Sequence, residues 1–257
     1  MRRAIAFSIA LAAAVSACDR KPTSALAASA NVQARADDGY LASPSVTRAL
    51  AEPGRLALEG QAEPGAKVRL ATPAGVAMFA DADAKGRWRI ATAATPEPRI
   101  FGLSMTAHGR QVQSQGYVLT DPAGKVTILR AGAGAVVLEA GDKPRITTFD
   151  YDREGGAVVS GVAPAGASVA VRGDGAALGE SRADSAGRFS VPITRPVSAG
   201  QHRVQIVGES FSAAATVDVA PPAPLTAGPF RSRRTPLGLR ADWMTPGGGV
   251  QTTLILN

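Results

Sequence analysis

The sequence predicts an all-β protein that contains two tandem β-sandwich domains. From about residue 46 onward, short runs of alternating Val, Leu, Ile and Ala are interrupted about every eight to twelve residues by Gly, Pro or Asp, a pattern typical of sandwiches. The chain has 257 residues, of which 45% are hydrophobic, which is enough for two small cores. An internal repeat at a shift of 101 residues divides this region in two.

The repeat is visible without any gap in two separate stretches. GQAEPGAKVRL at residues 60–70 aligns with GVAPAGASVAV at residues 161–171. DADAKGRWRI at residues 81–90 aligns with RADSAGRFSV at residues 182–191. Because the glycines, an aspartate and an arginine coincide, the two halves are predicted to be copies of one domain.

DADAKGRW at residues 81–88 has the Asp-x-Asp-x-x-Gly spacing of a calcium loop, but we interpret it as a hairpin turn. A calcium site needs several oxygen ligands, and the second copy carries Arg182 in place of the first aspartate. Both copies keep the equivalents of Asp83, which can accept backbone hydrogen bonds, and of Gly86, which suits a positive φ. Trp88, matched by a phenylalanine in the second copy, is predicted to be a core aromatic.

The residues shared by the two copies resemble the bacterial immunoglobulin-like repeats of surface and envelope proteins. The resemblance rests on Gly-x-Ala-x-x-Gly-Ala-x-Val, followed after a spacer by Ala-Asp-x-x-Gly-Arg-aromatic. It implies two tandem immunoglobulin-like β-sandwich domains, at residues 46–120 and 144–220. The family resemblance also implies a spacer or adhesive module and brings no catalytic residues to this chain.

The N-terminus has the order of a secretory signal peptide, with MRR, then the apolar AIAFSIALAAA, then VSAC. VSAC resembles the lipobox of bacterial lipoproteins, in which the cysteine is acylated and the chain is cut just before it. The resemblance implies a signal peptide over residues 1–17 and lipidation of Cys18. The protein would then be lipid-anchored in the cell envelope and face the periplasm, from the inner or the outer membrane. The alternative is an ordinary secretory peptide with an incidental cysteine.

Residues 18–45 are predicted to be a disordered tether, since they are rich in Ala, Ser and charge and have no sustained period. An Ala-rich helix is the alternative for the middle of this segment. Cys18 is the only cysteine, so no intramolecular disulfide is available.

Residues 121–143 are predicted to be a bridging hairpin or a linker, because KVTILR and AVVLEA flank a glycine-containing turn. The following FDYDREGG places Asp150, Asp152 and Glu154 before two glycines. A connecting turn is favoured there, and a calcium site formed by the three carboxylates is the alternative. The sequence otherwise indicates no metal site and no cofactor.

Residues 221–257 are predicted to be a Pro-rich spacer followed by a basic C-terminal β-hairpin around TPGGG. An isolated hairpin is marginal in water, so it should dock on its own domain, on another copy or on a partner. Docking on its own domain is favoured. In the alternative, the hairpin binds a partner by strand addition and through arginine side chains. The candidate partner-binding residues are Arg231, Arg233, Arg234, Arg240 and Trp243.

Composition and motifs predict that the protein is not an enzyme. The only histidines, His108 and His202, do not align under the repeat, and neither a nucleophile-elbow motif nor a phosphate loop with Lys is present. The net charge of +7 indicates contact with anionic lipid, polysaccharide or acidic protein, and nucleic acid is an unsuitable partner outside the cytoplasm.

The function predicted from the sequence is that of a noncatalytic, membrane-anchored spacer or adaptor that binds another envelope protein. The alternative is a carbohydrate-binding module for peptidoglycan or surface polysaccharide. The low aromatic content, 5%, argues against the alternative, because sugar faces usually stack on aromatic side chains.

Overall fold

Every regular element is a β-strand in the residues that the computed structural model describes, 39–138 and 141–257. The strands of the first half are β1 (Ser45–Glu52), β2 (Arg55–Gln61), β3 (Lys67–Ala71), β4 (Ala77–Asp81), β5 (Arg87–Ala93), β6 (Arg99–Ala107), β7 (Arg110–Thr120), β8 (Val126–Leu129) and β9 (Val136–Val137). Those of the second half are β10 (Arg145–Asp152), β11 (Ala157–Val162), β12 (Ser168–Gly173), β13 (Ala176–Arg182), β14 (Arg188–Pro192), β15 (Gly200–Val207), β16 (Ser212–Val219), β17 (Phe230–Thr235), β18 (Gly238–Met244) and β19 (Val250–Leu256).

The predicted all-β fold with tandem sandwiches is confirmed by this strand content and by the sheets that the strands form. The predicted signal peptide, Cys18 and most of the predicted tether lie outside the described residues. Residues Leu41–Asn257 belong to one compact unit. No helix long and apolar enough to cross a bilayer occurs in the part of the chain that the structure describes.

The first sandwich packs a three-stranded sheet, β1-β2-β5, against a six-stranded sheet, β4-β3-β6-β7-β8-β9. Strand β5 shows how the sequence determines this packing, since its burial alternates along RWRIATA with Trp88 and Ile90 facing inward and the arginines facing solvent. The core between the sheets includes Leu58, Phe101 and Met105. The predicted hairpin after β7 is present, because β8 pairs with β7 and β9 pairs with β8.

The second sandwich packs a four-stranded sheet, β13-β12-β15-β16, against a six-stranded sheet, β14-β11-β10-β19-β18-β17. Its core contains Phe149, Tyr151, Phe189 and Ile206, which are all nearly inaccessible to solvent. Seven strands of each sandwich correspond in chain order, β1–β7 to β10–β16. The internal repeat of the sequence is therefore a repeat of structure.

The first strand pair departs from the 101-residue alignment by one position. Ala49 pairs with Leu58, and Phe149 pairs with Val159. Asp150 therefore corresponds to Leu50, and not to Ala49 as the ungapped alignment predicts. The reason is the turn, because the paired residues are nine positions apart in the first copy and ten positions apart in the second.

The stretch DADAKGRW forms the predicted hairpin turn. Asp83 Oδ1 accepts hydrogen bonds from the amides of Lys85 (2.8 Å) and Arg87 (2.9 Å), and Gly86 has a φ of 75°. Asp184 accepts the same two bonds in the second copy. The turn explains the shared aspartate and glycine. A Cβ atom on Gly86 would also lie 2.3 Å from the Ala62 carbonyl oxygen.

The aromatic residue after each turn lies on a glycine of the neighbouring strand. A Cβ atom on Gly60 would be 2.5 Å from the Trp88 ring and 1.9 Å from the Ser45 carbonyl oxygen. A Cβ atom on Gly161 would be 2.7 Å from the Phe189 ring. Only glycine leaves room for the ring, which explains why both copies carry the glycine and the aromatic together.

Candidate functional site: the C-terminal strands

The three C-terminal strands extend the six-stranded sheet of the second sandwich. Strand β19 pairs antiparallel with β10, β18 pairs with β19, and β17 pairs with β18 at the edge of the sheet. The hairpin therefore docks on its own chain, as the favoured prediction stated. Its two faces take part in two different cores.

One face of the hairpin fills the space between the two sandwiches. Leu239, Ala241, Trp243 and Ile255 pack there against residues of the first sandwich, including Leu119 and Leu129. The ring of Trp243 meets Tyr117 edge-on, with centroids 5.8 Å apart and planes at 80°. This cluster connects the repeats through side chains that come from the end of the chain.

The other face contributes to the core of the second sandwich and carries a buried polar network. Leu254 and Leu256 belong to that core. Arg240 Nε donates to Asp242 Oδ1 at 2.9 Å, and Arg240 Nη1 donates to the Tyr151 hydroxyl at 2.9 Å. Each member of the network is satisfied by a partner on another strand, so the buried charges are compensated.

Asp242 is held ionised within this network. Burial opposes its ionisation, but hydrogen bonds from Arg231 (2.7 Å) and Thr252 (2.7 Å), together with the charge of Arg240, outweigh burial and lower the pKa of Asp242 below its ordinary value. Arg231 is thus partly engaged in the fold, although its side chain is still half exposed.

The five candidate partner-binding residues are placed in two different environments. Arg240 and Trp243 are buried, so a partner at the surface does not reach them. Arg233 and Arg234 are exposed on β17, and neither takes part in a salt bridge within the described residues. Arg231 lies between these two cases because it is exposed but paired with Asp242.

A groove of about 230 Å³ lies beside Arg233. It is lined by residues of the C-terminal strands, among them Thr235 and Leu256, and by Gln201 and Asp218 of the four-stranded sheet. The groove offers apolar surface next to an exposed guanidinium group.

The structure does not bring the three candidate calcium ligands together in one site. Asp150 is 1% exposed and faces the space between the sandwiches, where it accepts hydrogen bonds from the amide of Ala135 (2.8 Å) and the hydroxyl of Thr253 (2.5 Å). Asp152 instead accepts the amide of Gly156 within the turn. Burial is the main cause that raises the pKa of Asp150 above its ordinary value.

The sequence analysis did not identify the role of Asp150. Thr253 accepts a hydrogen bond from the indole N–H of Trp243 at 3.1 Å and donates to Asp150. Gln251 also donates to Asp150, at 3.2 Å. The signal that the sequence offers is the alternation of apolar and polar residues in FDYD, on a strand whose two faces are both buried.

The two histidines belong to different sandwiches and form no common site. His108 lies in an exposed turn with a φ of 49°. The Nδ1 atom of His202 lies 2.8 Å from Asp174 Oδ2, and its Nε2 lies 2.9 Å from the Ser198 carbonyl oxygen. The hydrogen bond to Asp174 is the largest cause that raises the pKa of His202.

Replacing Asp174 with asparagine should lower the pKa of His202, because the variant removes the carboxylate that favours the protonated ring. The wild-type contribution to stability is present below the unfolded-state pKa of about 6.5 and is lost as the pH rises through the higher folded-state pKa. Asparagine tolerates the positive φ of position 174. Titration of the imidazole protons by NMR, with His108→Gln for assignment, measures the shift. An unchanged pKa for His202 would show that the pair is not formed in solution.

Comparison with known proteins identifies the class of one repeat. Residues 142–221 match the family described as "Bacterial Ig domain", and these residues contain β10–β16. The second sandwich is therefore similar to bacterial immunoglobulin-like domains over β10–β16. No curated protein matches the chain.

Three solved structures match the chain at low identity and low TM-score. The central fibronectin-III array of RIM-binding protein is 12% identical with a TM-score of 0.27, and the alignment covers 83% of this chain and 88% of that chain. The BSP domain of a biofilm associated protein is 13% identical with a TM-score of 0.24, and the alignment covers 72% of this chain and 30% of that chain. Invasin, described as a bacterial integrin-binding protein, is 15% identical with a TM-score of 0.23, and the alignment covers 85% of this chain and 55% of that chain. The chain thus spans about a third and about half of the last two proteins.

Proposed function

We propose that this protein is a noncatalytic adaptor of the bacterial cell envelope, held on a membrane through lipidated Cys18, that binds another envelope protein at the edge of β17. The bacterial Ig domain at residues 142–221 supports a role in the envelope or at the surface. The lipobox resemblance at the N-terminus supports the anchor. Fold alone does not define function, so the proposal depends on the surface of β17.

The observation that carries the proposal is the basic edge of β17. The Met244 amide donates to the Pro229 carbonyl oxygen at 2.8 Å. Because backbone groups alternate along an antiparallel ladder, the N–H and C=O groups of Phe230, Ser232 and Arg234 then point away from β18. These groups suit an added strand, and guanidinium groups suit the carboxylates of an acidic segment.

The packing of the C-terminal strands supports the adaptor function in a second way. Trp243 and its neighbours connect the two sandwiches, so a partner bound at β17 would be linked to both repeats rather than to a mobile tail. A spacer must hold its binding surface at a fixed place, and this connection would keep β17 fixed relative to the repeats.

Replacing Arg233 and Arg234 together with glutamate should reduce partner capture about tenfold. Arg231 is left unchanged, because it contributes to the Asp242 network. The measurement is photo-crosslinking in living cells from a reactive residue at Ser232, followed by purification from the membrane fraction. The matched control is Arg48→Glu with Arg55→Glu, an equal change of charge on the exposed first sandwich.

Unchanged capture by the β17 variant, or an equal loss in the control variant, would contradict the proposal. Retention on purified peptidoglycan sacculi that the β17 variant does not affect would support the carbohydrate-binding alternative instead. That alternative lacks a tryptophan platform for sugar stacking, because Trp88 and Trp243, the only tryptophans, are both buried.

A further inference from the structure

Strand β4 is an open edge of the six-stranded sheet in the first sandwich. The Thr72 amide donates to the Val76 carbonyl oxygen at 2.9 Å, which fixes the hydrogen-bonding phase of the β3–β4 hairpin. The alternation of an antiparallel ladder then directs the N–H and C=O groups of Ala77, Phe79 and Asp81 away from β3. Three residues in this short strand therefore offer backbone groups to another strand.

Exposed apolar side chains lie on this strand, at Phe79, and directly before it, at Val76. Val76 is 64% exposed and Phe79 is 55% exposed. Lys67 Nζ lies 5.4 Å from the centre of the Phe79 ring, on the solvent face of the sheet. An edge strand with an exposed aromatic residue is the kind of edge that proteins usually protect.

The equivalent edge in the second sandwich is covered at its N-terminal end. The amide of Thr194 donates to the Leu178 carbonyl oxygen at 3.0 Å, and Arg195 donates to the Ala177 carbonyl oxygen at 3.2 Å. Under the repeat, Leu178 corresponds to Ala77, and Glu180 stands in place of Phe79. The fold thus contains one copy of this edge that is partly covered and one copy that shows no such cover among the described residues.

The difference arises from the strand that follows the hairpin. In the second sandwich β14 ends at Pro192, and the residues after it turn to cover β13. In the first sandwich β5 continues to Ala93, and Ala94 bonds to the Gly54 carbonyl oxygen instead. The segment that closes β13 has therefore no counterpart at β4.

We propose that β4 is a self-association surface, at which two copies of this chain pair antiparallel around a two-fold axis at Phe79. Each Phe79 would exchange both backbone hydrogen bonds with its counterpart, and Ala77 would lie opposite Asp81 of the second copy. The two sheets would join into one continuous sheet across the pair.

The charge pattern of β3 and β4 fits a second copy as the occupant. Asp81 would face the neutral Ala77, so no like charges would be opposed. Each Asp81 keeps Lys67 of its own chain as its neighbour on β3, and each Phe79 keeps Arg69. The two rings would therefore pair directly, with a cation behind each.

Three of the other sheet edges are less suitable for this pairing. Strand β1 has a bulge between Val46 and Arg48, β9 has only two residues, and β17 carries three arginines that would repel those of a second copy. Strand β4 combines regular pairing with an exposed aromatic side chain.

Sedimentation equilibrium of the full chain in detergent should show a monomer–dimer equilibrium, and Phe79→Glu should raise its dissociation constant about tenfold. Glutamate at this position copies the protected second repeat and would place two like charges opposite each other. Because Phe79 is exposed, circular dichroism should show unchanged folding. Met244→Glu, at another exposed apolar side chain, is the matched control and should leave the equilibrium unchanged.

A second variant tests the register directly. Ala77→Cys with Asp81→Cys should form a disulfide-linked dimer on mild oxidation, since the two positions face each other only between copies. Both cysteines are introduced into a Cys18→Ser chain, because Cys18, the only native cysteine, can itself form a disulfide between copies. The Cys18→Ser chain alone should not crosslink. A wild-type chain that stays monomeric at about 100 μM, an equal effect of Phe79→Glu and Met244→Glu, or failure of the cysteine variant to crosslink would each overturn the proposal.

Discussion

Replacing Trp243 with alanine should lower the free energy of unfolding by about 3–5 kcal/mol. The side chain is 0% exposed, lies against Tyr117 and donates its indole N–H to Thr253. Alanine would remove these contacts and leave a cavity between the sandwiches, where packing from both sides prevents collapse. Urea denaturation monitored by far-UV circular dichroism, with the slope of the transition checked for constancy, measures the effect.

Met244→Ala provides the control for this measurement, because the neighbouring side chain is on the surface of the same strand. Its effect should stay within about 0.5 kcal/mol. A loss below about 1 kcal/mol for Trp243→Ala would mean that the C-terminal strands do not pack between the repeats in solution. A chain that ends at Ala220 is a poor test of partner binding, because it would lack Leu254 and Leu256 of the second core. Any loss of binding could not be separated from a loss of folding.

The repeated part of the fold was readable from the sequence because its determinants are local. Asp83 and Gly86 build a turn within five residues. Gly60 and Trp88 lie on paired strands and pack against each other. The second copy has Gly161 and Phe189 at the same spacing, with the same contact. Residues that are the same in both copies of such a pattern are those that the fold requires, and residues that differ are not required by it.

The C-terminal site was less predictable because its partners are distant in sequence. Arg240 is bonded to Tyr151, 89 residues earlier. Charged residues are rarely buried unless they are paired, so the sequence alone predicts an exposed Arg240. Its burial depends on pairing with Asp242 and Tyr151. Only Arg233 and Arg234 of the five candidate residues keep both exposure and freedom from a salt bridge in the described structure.

The carboxylates of FDYDREGG show a second limit of sequence reasoning. Their spacing is consistent with a turn or with a cation site, and neither interpretation predicts a buried Asp150. Its environment depends on β19, which supplies Thr253 and Gln251, and on the loop between β8 and β9, which supplies the amide of Ala135. Because the turn differs by one residue between the copies, the ungapped alignment also matched Asp150 with Ala49 instead of Leu50.

Replacing Asp150 with alanine should lower the free energy of unfolding by about 3 kcal/mol. The substitution leaves the amide of Ala135 and the side chains of Thr253 and Gln251 without their acceptor in a buried site. Because Thr253 also accepts from Trp243, the loss should not be additive with that of Trp243→Ala. Asp218→Ala, on the exposed surface of β16, is the control and should change stability by less than about 0.5 kcal/mol.

The pH dependence of this loss tests how Asp150 is held. Burial raises the pKa of Asp150 in the folded state above 3.8, the value expected for the unfolded chain. Its contribution to stability is therefore fully present below the unfolded-state pKa and decreases as the pH rises through the folded-state pKa. The difference in unfolding free energy between the wild type and Asp150→Ala should therefore narrow as the pH rises above 3.8. If the difference widened instead, the hydrogen bonds to the ionised carboxylate would outweigh burial, and Asp150 would be a buried anion stabilised by its donors.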